Sequence, residues 1–150
     1  MRKFLSNKEK RELIKELDLY KVKFNKKDKL EVIDNKFWLV NNECWFFRYD
    51  NMIVPSLRFL HKHENILKKV MVDKGAVKFV VKGADIMRPG IIELSEEITK
   101  GNLVIIEEET NNKIIAVGIA LFNGEEIKKQ ETGKVIKNIH RIGDEVWSLA

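Results

Sequence analysis

The residues best suited to holding a ligand lie together in one phrase, Lys82-Gly83-Ala84-Asp85-Ile86-Met87-Arg88-Pro89-Gly90. Two cations, Lys82 and Arg88, flank a segment bounded by Gly83 and Gly90. Glycine lets a ligand approach the main chain closely because no Cβ stands in the way. The amides near Gly83, Ala84 and Gly90 are expected to donate to phosphate or to base edges. Arg88 can fork onto a phosphate or stack on a base. Asp85 would repel phosphate, so it is expected in a turn or cap, or against a 2′-hydroxyl or base amine. Met87 is expected partly buried beneath the loop. This chemistry is recognition of an anionic polymer.

Other chemistries find little support. His61-Lys62-His63 has no recognised zinc spacing, and Cys44, the single cysteine, cannot form an intramolecular disulfide. Cys44 lies between Glu43 and Trp45 with no base implied, which suits a buried structural thiol. There is no Gly-x-Gly-x-x-Gly, no phosphate-loop lysine motif and no Gly-x-Ser-x-Gly. With no defensible acid, base or nucleophile set, the chain is expected to be no enzyme and to take neither metal nor cofactor.

The elements that must position the 82–90 phrase follow from patterning. Val77 to Val81 is apolar and β-branched and reads as a buried strand that delivers the loop to a surface. Upstream, Ser6 and Glu9 have the spacing of a capping box, opening a helix that puts Leu13, Ile14 and Leu17 on one face and ends near Asp18. Tyr20 to Phe24 alternates as a half-exposed strand does. Leu30 to Ile33, Phe37 to Val40, Cys44 to Arg48 and Met52 to Val54 are apolar runs separated by Asp34-Asn35, Asn41-Asn42 and Asp50-Asn51, which predicts an antiparallel meander. Pro55-Ser56 opens a helical stretch in which Leu57, Phe59 and Leu60 pack. Asp73-Lys74-Gly75 reads as a turn and the domain boundary. Beyond the loop, Glu93 to Lys100 is a polar connection. Asn102 to Glu108 and Lys113 to Phe122 form a hairpin, and Asn123 to Lys129 a short helix or turn. Val135 to Ile139 and Glu145 to Leu149 read as closing strands. So many short strands suggest a small barrel.

Of the 150 residues, 44% are hydrophobic and 34% charged, so a core can be buried and well coated. The longest apolar runs are too short to span a bilayer, and Met1 to Ser6 turns charged at once. A soluble, cytoplasmic protein without membrane contact is expected. The net charge is +5, divided as +7 over residues 1–75 and −2 over residues 76–150. A basic N-terminal half is drawn to phosphate backbones through counterion release. The acidic run Glu107-Glu108-Glu109 is expected at a solvated hairpin tip, facing away from any anionic ligand.

The phrase Gly83 to Gly90, the strand pair after it and the ending Gly133-Lys134-Val135-Ile136 … Ile139-His140 … Asp144 … Trp147 resemble a PUA domain, a small RNA-binding pseudo-barrel. Pro55 to Lys62 and Val72 to Phe79 resemble the malignant-T-cell-amplified-sequence family, whose two-part layout ligatin shares. Eukaryotic members carry Cys in the slot of Arg88, so the resemblance is to an archaeal form. It implies an α/β (α+β) fold, with a mixed antiparallel-sheet domain over residues 1–73 and a PUA β pseudo-barrel over 74–150. It also implies a non-enzymatic factor that binds RNA (tRNA or rRNA) on the small ribosomal subunit, in initiation or recycling. Eukaryotic members work with density-regulated protein, and a partner of that kind on the N-terminal domain is part of what the resemblance implies. In PUA folds the final strands lie beside the loop, which adds Lys134, Lys137 and Arg141, with Lys128, Lys129 and His140 nearby, to Lys82, Gly83, Ala84, Asp85, Arg88, Pro89 and Gly90. Two rival readings are an RNA-binding accessory of an RNA-modification system and an adaptor that docks partners on its aromatic N-terminal sheet.

Overall fold

The computed structural model describes residues 1–149, which divide into two compact units. The first takes Met1–Lys62 and the helix Glu145–Ser148; the second takes His63–Asp144.

In the first unit, strand β1 (Arg2–Phe4) leads into helix α1 (Asn7–Glu16). The expected capping box is present: Ser6 Oγ accepts from the Glu9 amide, and Glu9 Oε1 accepts from the Ser6 amide. The Ser6 amide and the Lys3 ammonium hold the Glu9 carboxyl down to about 2. A carboxylate depressed in this way contributes stability above its unfolded value of about 4.3, and the contribution is lost as pH falls through the folded value. A carbon-detected NMR titration should therefore give Glu9 a midpoint near 2, and Lys3→Gln, which removes the ammonium and keeps the Ser6 amide, should raise it part of the way back. Leu13 and Leu17 face inward, whereas Ile14 is 45% exposed.

Strands β2 (Leu30–Ile33), β3 (Phe37–Val40), β4 (Glu43–Tyr49) and β5 (Met52–Pro55) follow, and the sheet order β1-β2-β3-β4-β5 is the predicted antiparallel meander with one added edge strand. Asp34, Asn35, Asn41 and Asn42 all have positive φ, which tight hairpin turns demand and Asn and Asp tolerate. The added strand β1 holds two cations and one phenylalanine, all on the exposed side, so it carries no apolar alternation to betray it; Arg2 fastens it to Glu31 at 2.7 and 2.9 Å. Helix α2 (Leu57–Leu60) is capped by Ser56 and buries Leu57, Phe59 and Leu60 as expected.

Two expected strands of this unit are something else. Residues 20–24 keep their alternating burial but pair with no strand: Asp18–Tyr20 is a 3-10 turn, Lys21 is left-handed, and the Tyr20 hydroxyl donates to the Ile53 carbonyl of β5. Glu145–Ser148 is helical. Its Trp147 is gripped by Arg58, whose guanidinium lies 3.9 Å from the ring centroid and donates to the Trp147 carbonyl.

The second unit opens with β6 (Lys68–Val72) and helix α3 (Lys74–Val80), then β7 (Ile86–Met87), β8 (Ile91–Leu94), β9 (Leu103–Glu108), β10 (Ile114–Ala120), helix α4 (Gly124–Lys129) and β11 (Lys134–Arg141). One sheet runs β7-β11-β10-β9-β6-β8, with β6 parallel to β9 and the other pairs antiparallel; it is the curled sheet of a PUA pseudo-barrel. The boundary expected at residue 73 falls inside this unit, because β6 fills the gap between β8 and β9 and buries Val70 and Val72 completely. Part of the expected polar connection after Glu93 likewise belongs to β8.

The strand expected at Val77–Val81 is helix α3. Asp73 caps it, accepting from the Ala76 amide at 2.9 Å, and Val77, Val80 and Val81 then fall at helical spacing against the core. A β-branched run of five residues fits a strand and a helix face equally well by composition, and the cap decides for the helix.

Candidate nucleic-acid interface

The 83–90 segment begins as a helix stop. Gly83, at φ +99°, sends its amide to the Val80 carbonyl, and the Ala84 amide reaches the Phe79 carbonyl. These paired bonds form a Schellman motif, which needs a residue at positive φ and favours glycine there. Two of the three amides expected to meet phosphate, those of Gly83 and Ala84, are thus consumed by α3. The missing Cβ at Gly83 makes room for the Arg141 side chain, whose atoms lie 3.4 Å from where that carbon would stand, and Arg141 Nε donates to the Val81 carbonyl at 3.0 Å. At Gly90 the missing Cβ makes room for the Ala76 methyl, 3.2 Å away. At both glycines a neighbouring side chain takes up the space beside the missing Cβ.

The charged residues sort into anchors and free cations. Arg88 is an anchor: half-buried, it donates from Nε to the Ile127 carbonyl at 2.7 Å and from Nη1 to the Ile91 carbonyl at 3.2 Å. Asp85 accepts from the Asn138 amide at 2.9 Å and pairs with Lys134 at 3.4 Å, in keeping with a turn role. Asn138, which the sequence reading missed, ties the loop from below, its Nδ2 donating to the Val80 and Ala84 carbonyls at 3.0 Å each. A half-buried asparagine makes no pattern in a sequence, so only the strand register reveals it. Lys82 is exposed; its amide donates to the Phe79 carbonyl, and its side chain bonds to no other described residue. Lys134 is exposed beside Met87, its cross-strand partner, and Ile136 pairs with Ile86, so β11 does lie alongside the loop. Lys137 and Pro89 are exposed as well, but His140 is buried in the core, with Nδ1 2.8 Å from Asp144 Oδ2. Lys128 is paired with Glu96.

Of the expected site residues, Ala84, Asp85, Pro89, Gly90 and Lys134 line a cleft of about 720 Å³; Lys82, Gly83, Arg88, Lys137 and Arg141 lie off its lining. Phe79 and Met87 stand on its walls, 57% and 50% exposed, with Ala76, Ala84 and Pro89 completing an apolar lining. Asp73, Asp85 and Lys134 supply its polar groups. Large apolar side chains held this open to solvent around a concavity mark binding surfaces. Phe79 is the residue the sequence reading missed most: taken as part of a buried strand, it sits on the outer face of α3 instead, with the Lys78 ammonium 5.2 Å from its ring centroid. Met87, expected under the loop, is on the wall.

The acidic run does not sit free at a hairpin tip. Glu107 is buried and pairs with Lys69 at 3.4 Å. Glu108 accepts from the Lys113 and Asn111 amides of its own turn, which hold its carboxyl below the usual range. Glu109 accepts from the Lys74 amide at the start of α3. All three carboxylates are thus engaged inside the unit.

The fold and the cleft define a class, and comparison with known proteins agrees. Residues 68–142 match the PUA domain family, an RNA-binding module, and residues 1–63 match a domain of unknown function, DUF1947. An uncharacterized protein of Methanocaldococcus jannaschii is 38% identical, covering 99% of this chain and 96% of its own length. Translation machinery-associated protein 20 of Saccharomyces cerevisiae is 35% identical over 83% of this chain and 75% of its own length. Malignant T-cell-amplified sequence 1 of Rattus norvegicus is 38% identical over 73% of this chain and 63% of its own length. The chain belongs to the family of PUA-domain proteins that includes translation machinery-associated protein 20 and malignant T-cell-amplified sequence 1.

Solved structures concur on the fold. A hypothetical protein of Pyrococcus horikoshii superposes with a TM-score of 0.78 at 32% identity over 98% of both chains. A PUA domain protein of Aeropyrum pernix, solved as a tartrate complex, gives 0.82 at 27% identity over 98% of this chain and 89% of that one. A chain of an H/ACA ribonucleoprotein bound to a substrate RNA gives 0.52 at 27% identity over 65% of this chain and 29% of that one.

Proposed function

We infer that this protein is a non-catalytic RNA-binding factor of translation, working in the cytoplasm on the small ribosomal subunit or on tRNA in initiation or recycling. The observation that carries this reading is the cleft of the second unit. An aromatic ring and a thioether stand open on its walls, with Lys134 on its lining and the exposed Lys82 two residues before the lining residue Ala84. An unpaired base can stack on Phe79 while Lys82, Lys134 and Lys137 meet the adjoining phosphates. In this scheme Gly83, Ala84, Asp85, Arg88, Gly90 and Arg141 shape the cleft and do not touch RNA, while Pro89 offers an apolar edge. The family's translation-machinery members support the translation setting.

Sedimentation of a cell extract through a sucrose gradient tests it. The protein is expected to travel with small ribosomal subunits and to be released by raised salt. Its absence from ribosomal fractions, with co-purification of an RNA-modification enzyme, would favour the accessory reading. That alternative has the H/ACA ribonucleoprotein likeness on its side.

A further inference from the structure

The first unit carries a second basic feature that the cleft does not use, the segment Lys21–Lys29. It holds five lysines and one acid, Asp28. Val22 and Phe24 are half-buried, and Phe24 stacks on Trp45 with ring centroids 6.4 Å apart. Asn25 to Asp28 form a turn closed by the bond from the Asp28 amide to the Asn25 carbonyl. The Asp28 carboxylate is spent inside it, accepting from the Asn25 amide at 2.8 Å and from Asn41 Nδ2 at 3.0 Å. Asn41 adds two further bonds, one from the Lys29 amide to its side chain and one from its own amide to the Lys29 carbonyl.

The lysines are left pointing out. Lys26 and Lys27 occupy the tip of the turn, and Lys21 and Lys23 lie on the exposed side of the preceding stretch. None of these four side chains bonds to another described residue. A solvated lysine face normally mixes signs or floats on a mobile loop. Here the one acid is turned inward and the backbone is pinned at both ends, so the cations are preorganised.

We propose that the Lys21–Lys27 face is a phosphate-backbone contact for RNA, separate from the base-stacking cleft and supplying non-specific affinity. RNA is favoured over an acidic protein because closely repeated lysines without an intervening free acid match a regular array of phosphates, and because the same chain carries an RNA-binding module. This proposal rests on the reading of the second unit as an RNA binder, and the experiment separates the two.

The full chain and a Lys23→Gln, Lys26→Gln, Lys27→Gln variant are titrated by fluorescence anisotropy against a hairpin RNA with a single-stranded 3′ tail, between 50 and 200 mM salt. Each lost phosphate contact flattens the plot of log affinity against log salt by about 0.7 to 0.9, so the variant should be shallower by about 2 to 3. The wild-type advantage should then shrink roughly 20-fold or more across that salt range. Thermal unfolding should be unchanged, because the substituted side chains are exposed and unbonded. A variant with the wild-type slope would overturn the proposal while leaving the cleft reading intact. A wild type that binds no RNA at all would overturn both readings.

Discussion

Arg88→Ala is expected to lower stability by about 2–3 kcal/mol and so to move the unfolding midpoint by roughly 5–10 °C. The reason is where the guanidinium goes. It holds the Ile127 and Ile91 carbonyls, and Ile127 is fully buried. Removing the donor takes one charge-assisted hydrogen bond from each carbonyl, leaving the Ile127 oxygen with only the Gln130 amide at 3.1 Å among the described residues, and a hydrogen bond to a charged group is worth about 1.5–3 kcal/mol. Arg88→Lys should recover only part of the loss, since an ammonium cannot reach both acceptors in a fixed fork. Thermal and urea unfolding check this. An alanine variant with wild-type stability but weakened RNA binding would return Arg88 to the interface. The opposite result would warn against reading any Arg88 binding defect as a lost phosphate contact.

Phe79→Ala should do the reverse. The ring is 57% exposed, so its loss leaves the core of the unit intact and the unfolding midpoint nearly unmoved. RNA affinity, however, should drop by about 1–3 kcal/mol, roughly 5- to 150-fold, which is what one base stacked on an aromatic ring contributes. Because no charge is removed, the salt slope should stay as it was. Lys134→Ala should instead lower affinity modestly and flatten the slope by about one contact. It also frees Asp85 from its 3.4 Å partner. Anisotropy titrations at two salt concentrations distinguish these signatures. If Phe79→Ala bound RNA as tightly as wild type, base stacking in the cleft would be excluded.

Together the two variants show how far the 82–90 phrase can be read from residue types alone. The surroundings were legible: part of the phrase lines an apolar cleft, and β11 runs beside it as the resemblance implied. The roles were not. Gly83 and Gly90 looked like openings for a ligand, but both are accommodations for neighbouring side chains. Arg88 and Arg141 looked like phosphate hooks, but each donates to main-chain carbonyls. A cation's type says that it can bind an anion or a carbonyl; the direction in which its backbone aims it says which.

The amino-acid sequence by itself determined the local pieces, where the deciding interactions span only a few residues. The capping box at Ser6 and Glu9, the Asn and Asp turns of the first sheet and the short helix after Ser56 are of this kind. Tertiary structure decided whatever depends on contacts distant in the chain. Val77–Val81 became a helix face because Asp73 caps it and the core receives Val80. Lys68–Val72 joined the second unit because β9, more than thirty residues on, offers it a parallel edge. Phe79 is exposed because the helix that carries it turns the other side of its apolar run inward. Short-range hydrogen bonds are written in neighbouring residues; the facing of a side chain depends on what packs behind it, and only the folded chain supplies that.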